Sequence, residues 1–135
     1  MVPRSVVVLV LGLVMGCSGV DVPVVPEGVA VTYSAHLEPL VIARCLSCHT
    51  TEEPEAQLVL EAGIGYGEMV GRASTQVPEL FLVAPGDVGS SYLWRKLTHD
   101  VEIGRGMPRT VVGSIKLPEE ELELYRRWIE DGALP

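Results

Sequence analysis

Apolar and polar positions along this chain fall into three regimes. Ser5–Met15 is an almost unbroken run of Val and Leu with no polar face at helical spacing. Residues 18–31 lose that density: Gly19, Pro23, Pro26 and Gly28 punctuate scattered valines that follow no helical period. This predicts extended, polyproline-like chain, with a strand packed on the domain through its valines as the other reading. From residue 32 helical periods begin. Thr32 or Ser34 is placed to cap a helix running to about Arg44 or Cys45, with Leu37, Leu40, Val41 and Arg44 at helical spacing. Pro39 either kinks that helix or moves its start to Glu38. A polar turn around Pro54 follows, then a brief extended segment at Gln57–Leu60 and a short helix over Gly65–Arg72. Val77–Pro85 reads as an apolar loop that lines a pocket, and Asp87, Ser90 or Ser91 as the cap of a helix ending at Leu97. The last helix is the best marked. Pro118 opens it, Glu119, Glu120 and Glu121 sit at the positive end of its dipole, and Gly132 ends it. Leu122, Tyr125 and Ile129 share its apolar face with Trp128 alongside, and Arg126 and Arg127 lie near the far end.

Composition narrows the possibilities. The chain has 135 residues and a net charge of −8, enough for one core and too acidic to neutralise a row of phosphates, so nucleic acid is excluded as a partner. Aromatic residues make up only 5% of it, and a core so poor in rings gains from a large apolar cofactor. Met1–Arg4 supplies a short positive start to the apolar run, which is too short for the roughly 20 residues that span a bilayer. Residues 1–16 therefore read as a secretory signal peptide. Leu13-Val14-Met15-Gly16-Cys17 resembles the lipobox of bacterial lipoproteins, which implies that Cys17 becomes the first mature residue and carries the lipid. Ordinary cleavage that leaves Cys17 free is the other reading. The expected organisation is signal peptide 1–16, flexible tether 17–31 and one domain over 32–135.

With Cys17 lipidated, the remaining two cysteines stand in Cys45-Leu46-Ser47-Cys48-His49, the C-x-x-C-H signature of covalent haem attachment. The spacing has a chemical reason. Two thiols three residues apart reach the two vinyl groups of one porphyrin, and the adjacent imidazole is placed to serve as proximal ligand. A tetrahedral zinc site would have to draw two of His36, His49 and His99 to the same pair, a thioredoxin-like dithiol would need a βαβ setting, and a disulfide across two residues would be strained. For the second axial position, Met69 and Met107 are the methionines outside the signal peptide. Met69 falls in a short helical stretch where a methionine is more often core filler, whereas Gly104-Arg105-Gly106-Met107-Pro108 lets the backbone approach a flat cofactor closely and then limits its freedom. Met107 is the preferred ligand, with Met69, a histidine or an open position left as alternatives. Arg72, Arg95, Lys96, Arg105 and Arg109 are candidate partners for the haem propionates, or else solvated surface charges.

Cys45–His49, Gly-x-Gly-Met107-Pro108 and the C-terminal helix resemble a class I c-type cytochrome domain. More narrowly, Leu40–Thr50, Pro85–Asp87, Ser91–Leu97 and Trp128–Ala133 are similar to the small cytochrome-like domains of planctomycete and myxobacterial exported proteins. The resemblance implies an all-α, cytochrome c-like fold of about four short helices around one covalent haem c, single-electron transfer and no enzymatic activity. Many such domains carry a glycine in the helix before the haem motif. Here that glycine is absent, and Tyr33 and Leu37 are the candidates for the helix–helix contact it serves. The alternatives are a haem sensor or peroxidase-like domain with an open iron site, and a zinc-stabilised interaction module. The acidic total charge implies redox protein partners with a basic docking surface. The leader implies a lipid anchor at the periplasmic membrane surface, and Ser18, in place of the Asp that retains some lipoproteins at the inner membrane, leans toward the outer one.

Overall fold

The computed structural model describes residues 19–135; the segment expected to be a signal peptide, Cys17 and Ser18 lie outside the described residues. Four α-helices carry the domain: α1 (Glu38–Cys45), α2 (Gly65–Met69), α3 (Tyr92–Thr98) and α4 (Glu119–Glu130). Between α3 and α4 a two-residue hairpin pairs β1 (Arg109–Thr110) with β2 (Gly113–Ser114), antiparallel. Long connections join these elements, so loops make up much of the wall around the core.

Pro39 decides how the chain enters α1. Proline has no N–H to give the preceding turn, so the α pattern begins at Glu38 with Pro39 in its first turn, and Tyr33–Leu37 closes a wider π-helical turn instead. Neither Thr32 nor Ser34 caps through its side chain. Instead the Thr32 N–H donates to Nδ1 of His36 at 2.9 Å. Ser91 does stand just before α3, but its hydroxyl accepts from the Ala84 N–H at 2.9 Å and donates to the Asp87 carbonyl at 2.7 Å. It ties the preceding loop rather than the helix. Asp87 likewise accepts from the Ser90 N–H, at 3.0 Å.

The core gathers at α4. Leu122, Leu124, Tyr125, Trp128 and Ile129 are buried against Tyr33, Leu37, Leu40 and Val41 from the entry turn and α1, with Leu60, Met69, Val83 and Leu97 completing it. Tyr33 packs on both Trp128 and Tyr66, ring centroids 5.7 Å apart in each case. The π turn thus supplies the aromatic contact onto α4 where the chain lacks a glycine. Gly65 is needed here for another reason: a Cβ would run into the Tyr33 hydroxyl. That hydroxyl and the one on Tyr125 are buried without a hydrogen-bond partner among the described residues, and burial holds both well above the ordinary phenol range.

The segment expected as a flexible tether lies along the domain where it is described. Val25 and Val31 are buried, and Val20 and Val22 pack against the core. The guanidinium of Arg127 donates to the carbonyls of Val25 at 2.9 Å, Pro26 at 3.1 Å and Val29 at 2.9 Å, and the Val31 N–H donates to Asp131 at 3.2 Å. Burial of valines and satisfaction of otherwise bare carbonyls outweigh the freedom that Pro23 and Pro26 suggest. Arg127→Ala is expected to cost about 1–2 kcal/mol, from charge-assisted bonds that water only partly replaces, and to open residues 20–30 to limited proteolysis. Unchanged cleavage there would show that the valines alone hold the segment.

Arg126 pairs with Glu123 and Glu130 on the exposed side of α4. Its hydrogen bond holds the Glu123 carboxyl below the ordinary value of 4.5. A carboxylate depressed in the folded state contributes stability above its unfolded value and loses it as pH falls through its folded value. Because the pair is solvent-screened, Glu123→Gln is expected to cost less than about 1 kcal/mol at neutral pH and nothing once the carboxylate is protonated, as read by thermal melts across that acid window.

Candidate functional site

The site begins where α1 ends. Past Cys45 the backbone makes two successive tight turns, the Cys48 N–H donating to the Cys45 carbonyl at 3.1 Å and the His49 N–H to the Leu46 carbonyl at 3.2 Å. Residues three apart eclipse one another in such turns, which brings Cys45, Cys48 and His49 to the wall of one cavity of about 430 Å³. The expected extended segment then runs beside His49. The Leu60 N–H donates to the His49 carbonyl at 2.8 Å, and the Leu58 carbonyl accepts from Nδ1 of the ring at 3.0 Å. A carbonyl can only accept, so Nδ1 carries the proton and Nε2 keeps its lone pair. An outer-shell hydrogen bond of this kind fixes the tautomer and orientation of a metal-binding imidazole. His49 as a whole is 8% exposed.

Both thiols are free. Burial, and then the charge of Glu121, push the Cys45 thiol up to about 12, whereas Cys48 is exposed. Behind Cys45 sits an ion pair that the sequence does not advertise. Glu121, fully buried in the first turn of α4, accepts two hydrogen bonds from Arg44, one from Nε at 3.2 Å and one from Nη2. Dipole placement explains an exposed Glu119 or Glu120 adequately; Glu121 instead joins α4 to the residue before the cysteine pair.

Met107 reaches the same cavity from the other end of the chain. Its N–H donates to the Lys96 carbonyl at 2.9 Å, and its own carbonyl accepts from Nε2 of His99 at 3.2 Å. His99 ends α3 in the left-handed conformation. The two glycines that precede Met107 leave room for α3: a Cβ on Gly104 would strike the Lys96 ammonium, and one on Gly106 the His99 ring. Met69 is buried in the core and absent from the cavity wall, so of the two methionines only Met107 stands with His49. The Met107–Pro108 peptide is cis.

The remaining wall holds leucines (Leu58, Leu60, Leu82, Leu93 and Leu97), the carboxylates of Glu55 and Glu68, Arg44 and Arg72, which are paired with Glu121 and Glu68, and two cations outside any ion pair, Lys96 and Arg109. From the loop at residues 77–85, only Leu82 lines the cavity; Val77 and Val83 turn into the protein and Phe81 faces solvent. Trp94 also lies outside the wall, packed against the core. Arg95 is spent on the Gly89 carbonyl, at 2.9 Å, and Arg105 lines a smaller adjoining pocket of about 250 Å³. Lys96 is the informative cation. It is 7% exposed, donates to the Arg105 carbonyl at 3.1 Å, lies 4.9 Å over the Tyr92 ring and has no ion-pair partner among the described residues. Burial, and then Arg109, lower its affinity for a proton. A buried ammonium beside a guanidinium is costly unless an anion shares the space.

A cavity of this size, with a thiol pair and an imidazole at one side, a thioether brought in on a separate loop, leucines between them and unmatched cations, fits a flat apolar group with an anionic end. Tetrahedral zinc fits poorly. Among the described residues no three His, Cys, Asp or Glu side chains converge as a metal-binding group, and His36 and His99 are both engaged away from the cavity. Comparison with protein-family models, curated proteins and solved structures found no match.

Proposed function

We propose that the chain is an exported, lipid-anchored monohaem c-type cytochrome that carries single electrons and catalyses no reaction of its own. One observation carries the reading: the C-x-x-C-H residues and Met107, 58 positions further on, wall a single cavity. Haem c supplies a one-electron couple at its iron when bound. In this reading Cys45 and Cys48 anchor the porphyrin through thioethers. His49, with its tautomer set by the Leu58 carbonyl, and Met107 would hold the iron. The leucines exclude water, and Lys96 with Arg109 faces the propionates. With both His49 and Met107 holding the iron, no open site would remain for substrate, which would favour electron transfer over oxygen activation. An all-α cytochrome c-like fold is part of the same proposal: α1 through α4 would enclose the haem, and the two-residue hairpin is an embellishment of the methionine loop. The lipid anchor at Cys17 rests on the leader sequence alone, and palmitate labelling lost in Cys17→Ser checks it.

Reduced-minus-oxidised spectroscopy on the exported protein separates this proposal from an open-site haem domain. Sharp α and β bands insensitive to carbon monoxide are expected; a high-spin spectrum that shifts with carbon monoxide or peroxide would favour the sensor or peroxidase reading.

A further inference from the structure

Between the end of α3 at Thr98 and the start of β1 at Arg109 the chain has no regular secondary structure, yet it carries Met107 to the cavity wall. Side chains hold this loop where a strand would use its ladder. The Tyr92 hydroxyl donates to the Ile103 carbonyl at 2.7 Å, the Lys96 ammonium to the Arg105 carbonyl at 3.1 Å and the Ser114 hydroxyl to the Gly106 carbonyl at 2.7 Å. At Met107 the bonds close on one another. The Lys96 carbonyl accepts from the Met107 N–H at 2.9 Å and from the His99 N–H at 3.3 Å. The His99 ring then returns from Nε2 to the Met107 carbonyl at 3.2 Å. A carbonyl only accepts, so Nε2 carries the proton. Both planar peptide groups that flank the Met107 Cα are pinned, which fixes the direction in which its side chain leaves the backbone. His99 lines neither the cavity nor the pocket beside it. It stands in the left-handed conformation, φ 63°, at a helix end where glycine is the ordinary residue. A side chain there gives up glycine's freedom, and the contacts it makes offset that cost. Those contacts are to the methionine loop. The nearest atoms that a Cβ on Gly106 would meet all belong to the His99 ring, and Gly106 itself takes no left-handed backbone.

We propose that His99 is a positioning residue for Met107. Its ring lies on the bare Cα of Gly106 and holds the Met107 carbonyl, so that the thioether is presented to the cavity in one direction. A binding atom on an irregular loop is precise only when the shell around it is itself locked, and here the lock is the triangle of Lys96, His99 and Met107. The bond to Met107 occupies the ring away from the cavity wall, so His99 acts through the methionine and not beside it. That the sulfur holds an iron rests on the haem reading; that the ring holds the loop does not.

The test compares His99→Gly, His99→Gln, Gly106→Ala and the double variant His99→Gly/Gly106→Ala in the purified exported protein. Free imidazole competes with the sulfur for the iron of the oxidised holoprotein, read by loss of the near-infrared band, and mass spectrometry follows hydrogen exchange across residues 103–109. His99→Gly relieves the left-handed residue while removing the donor, so its melting temperature is expected to hold. The imidazole concentration that displaces the sulfur is expected to fall about five- to tenfold, the factor that one net hydrogen bond supplies. Exchange at the Met107 amide should speed up by a similar factor, because one local opening underlies both. His99→Gln keeps an N–H donor and is expected to lie within about twofold of the native protein on both readouts. Gly106→Ala displaces the ring and is expected to imitate His99→Gly, adding less than about twofold once the ring is gone. Native imidazole and exchange values in His99→Gly would overturn the proposal, and so would a His99→Gln variant as impaired as His99→Gly. Additive effects in the double variant would overturn the pairing of Gly106 with the ring. Faster exchange in His99→Gly, from a native protein that shows no near-infrared band, would uphold the clamp while overturning Met107 as an iron ligand.

Discussion

Met107→Ala is expected to remove the weak near-infrared sulfur-to-iron band of the oxidised holoprotein and to lower its reduction potential. A thioether is a soft ligand that favours the ferrous state, and its loss should shift the potential down on the order of 100 mV, a modest part of the roughly 0.8 V that axial ligation spans. Folding should survive, because Met107 lies on the cavity wall outside the core and its backbone is held independently by the Lys96 carbonyl and the His99 ring. Met69→Ala provides the contrast. Its side chain is 1% exposed and packed in the core, so truncation is expected to cost about 2–5 kcal/mol while the band persists. A band that survives in Met107→Ala and vanishes in Met69→Ala would exchange the two roles.

Glu121→Ala is expected to lose much of the domain's stability. The carboxylate is fully buried and takes two hydrogen bonds from Arg44, which remains one-third exposed. Removing one member of a buried pair leaves the other charge poorly solvated and costs about 3–5 kcal/mol, and the partial exposure of Arg44 places the expected loss near the lower figure. For a domain of this size that is a fall of roughly 10 °C in Tm. Arg44→Met combined with Glu121→Met should recover most of it, since an apolar pair of similar volume has no desolvation to overcome. Circular dichroism melts of the three variants check this; a loss below about 1 kcal/mol in Glu121→Ala would mean that the pair is structurally idle. Because Arg44 adjoins Cys45, the variant also shows whether the α1–α4 tie positions the cysteine pair.

Local chemistry made part of this molecule legible in its sequence. Pro118, three acidic residues and Gly132 bracket α4 to within a residue, and its apolar face was plain from spacing. Cys45, Cys48 and His49 declared themselves by spacing, and the structure brings Met107 to the same cavity. What stayed hidden depends on contacts between distant segments. Nothing around Glu121 distinguishes it from Glu119 or Glu120 until Arg44 is seen beside it. The glycines before Met107 suggest a close cofactor approach, and the room they leave for Lys96 and His99 from α3 shows only in the structure. His36, not Thr32 or Ser34, satisfies the start of the first turn because an imidazole four residues on can fold back to the Thr32 N–H. Residues 19–31 carried two conflicting signals, prolines for extension and valines for burial, and the grip of Arg127 on three carbonyls settles it toward packing.

The proposed covalent attachment of a porphyrin to Cys45 and Cys48 is tested most directly by treating the purified exported protein with acidified acetone. The pigment should remain with the precipitated chain, stay with it through the surviving thioether when one cysteine is changed to alanine, and be released only when both are. A colourless protein, or pigment that passes wholly into the acetone from the unmodified sequence, would contradict it.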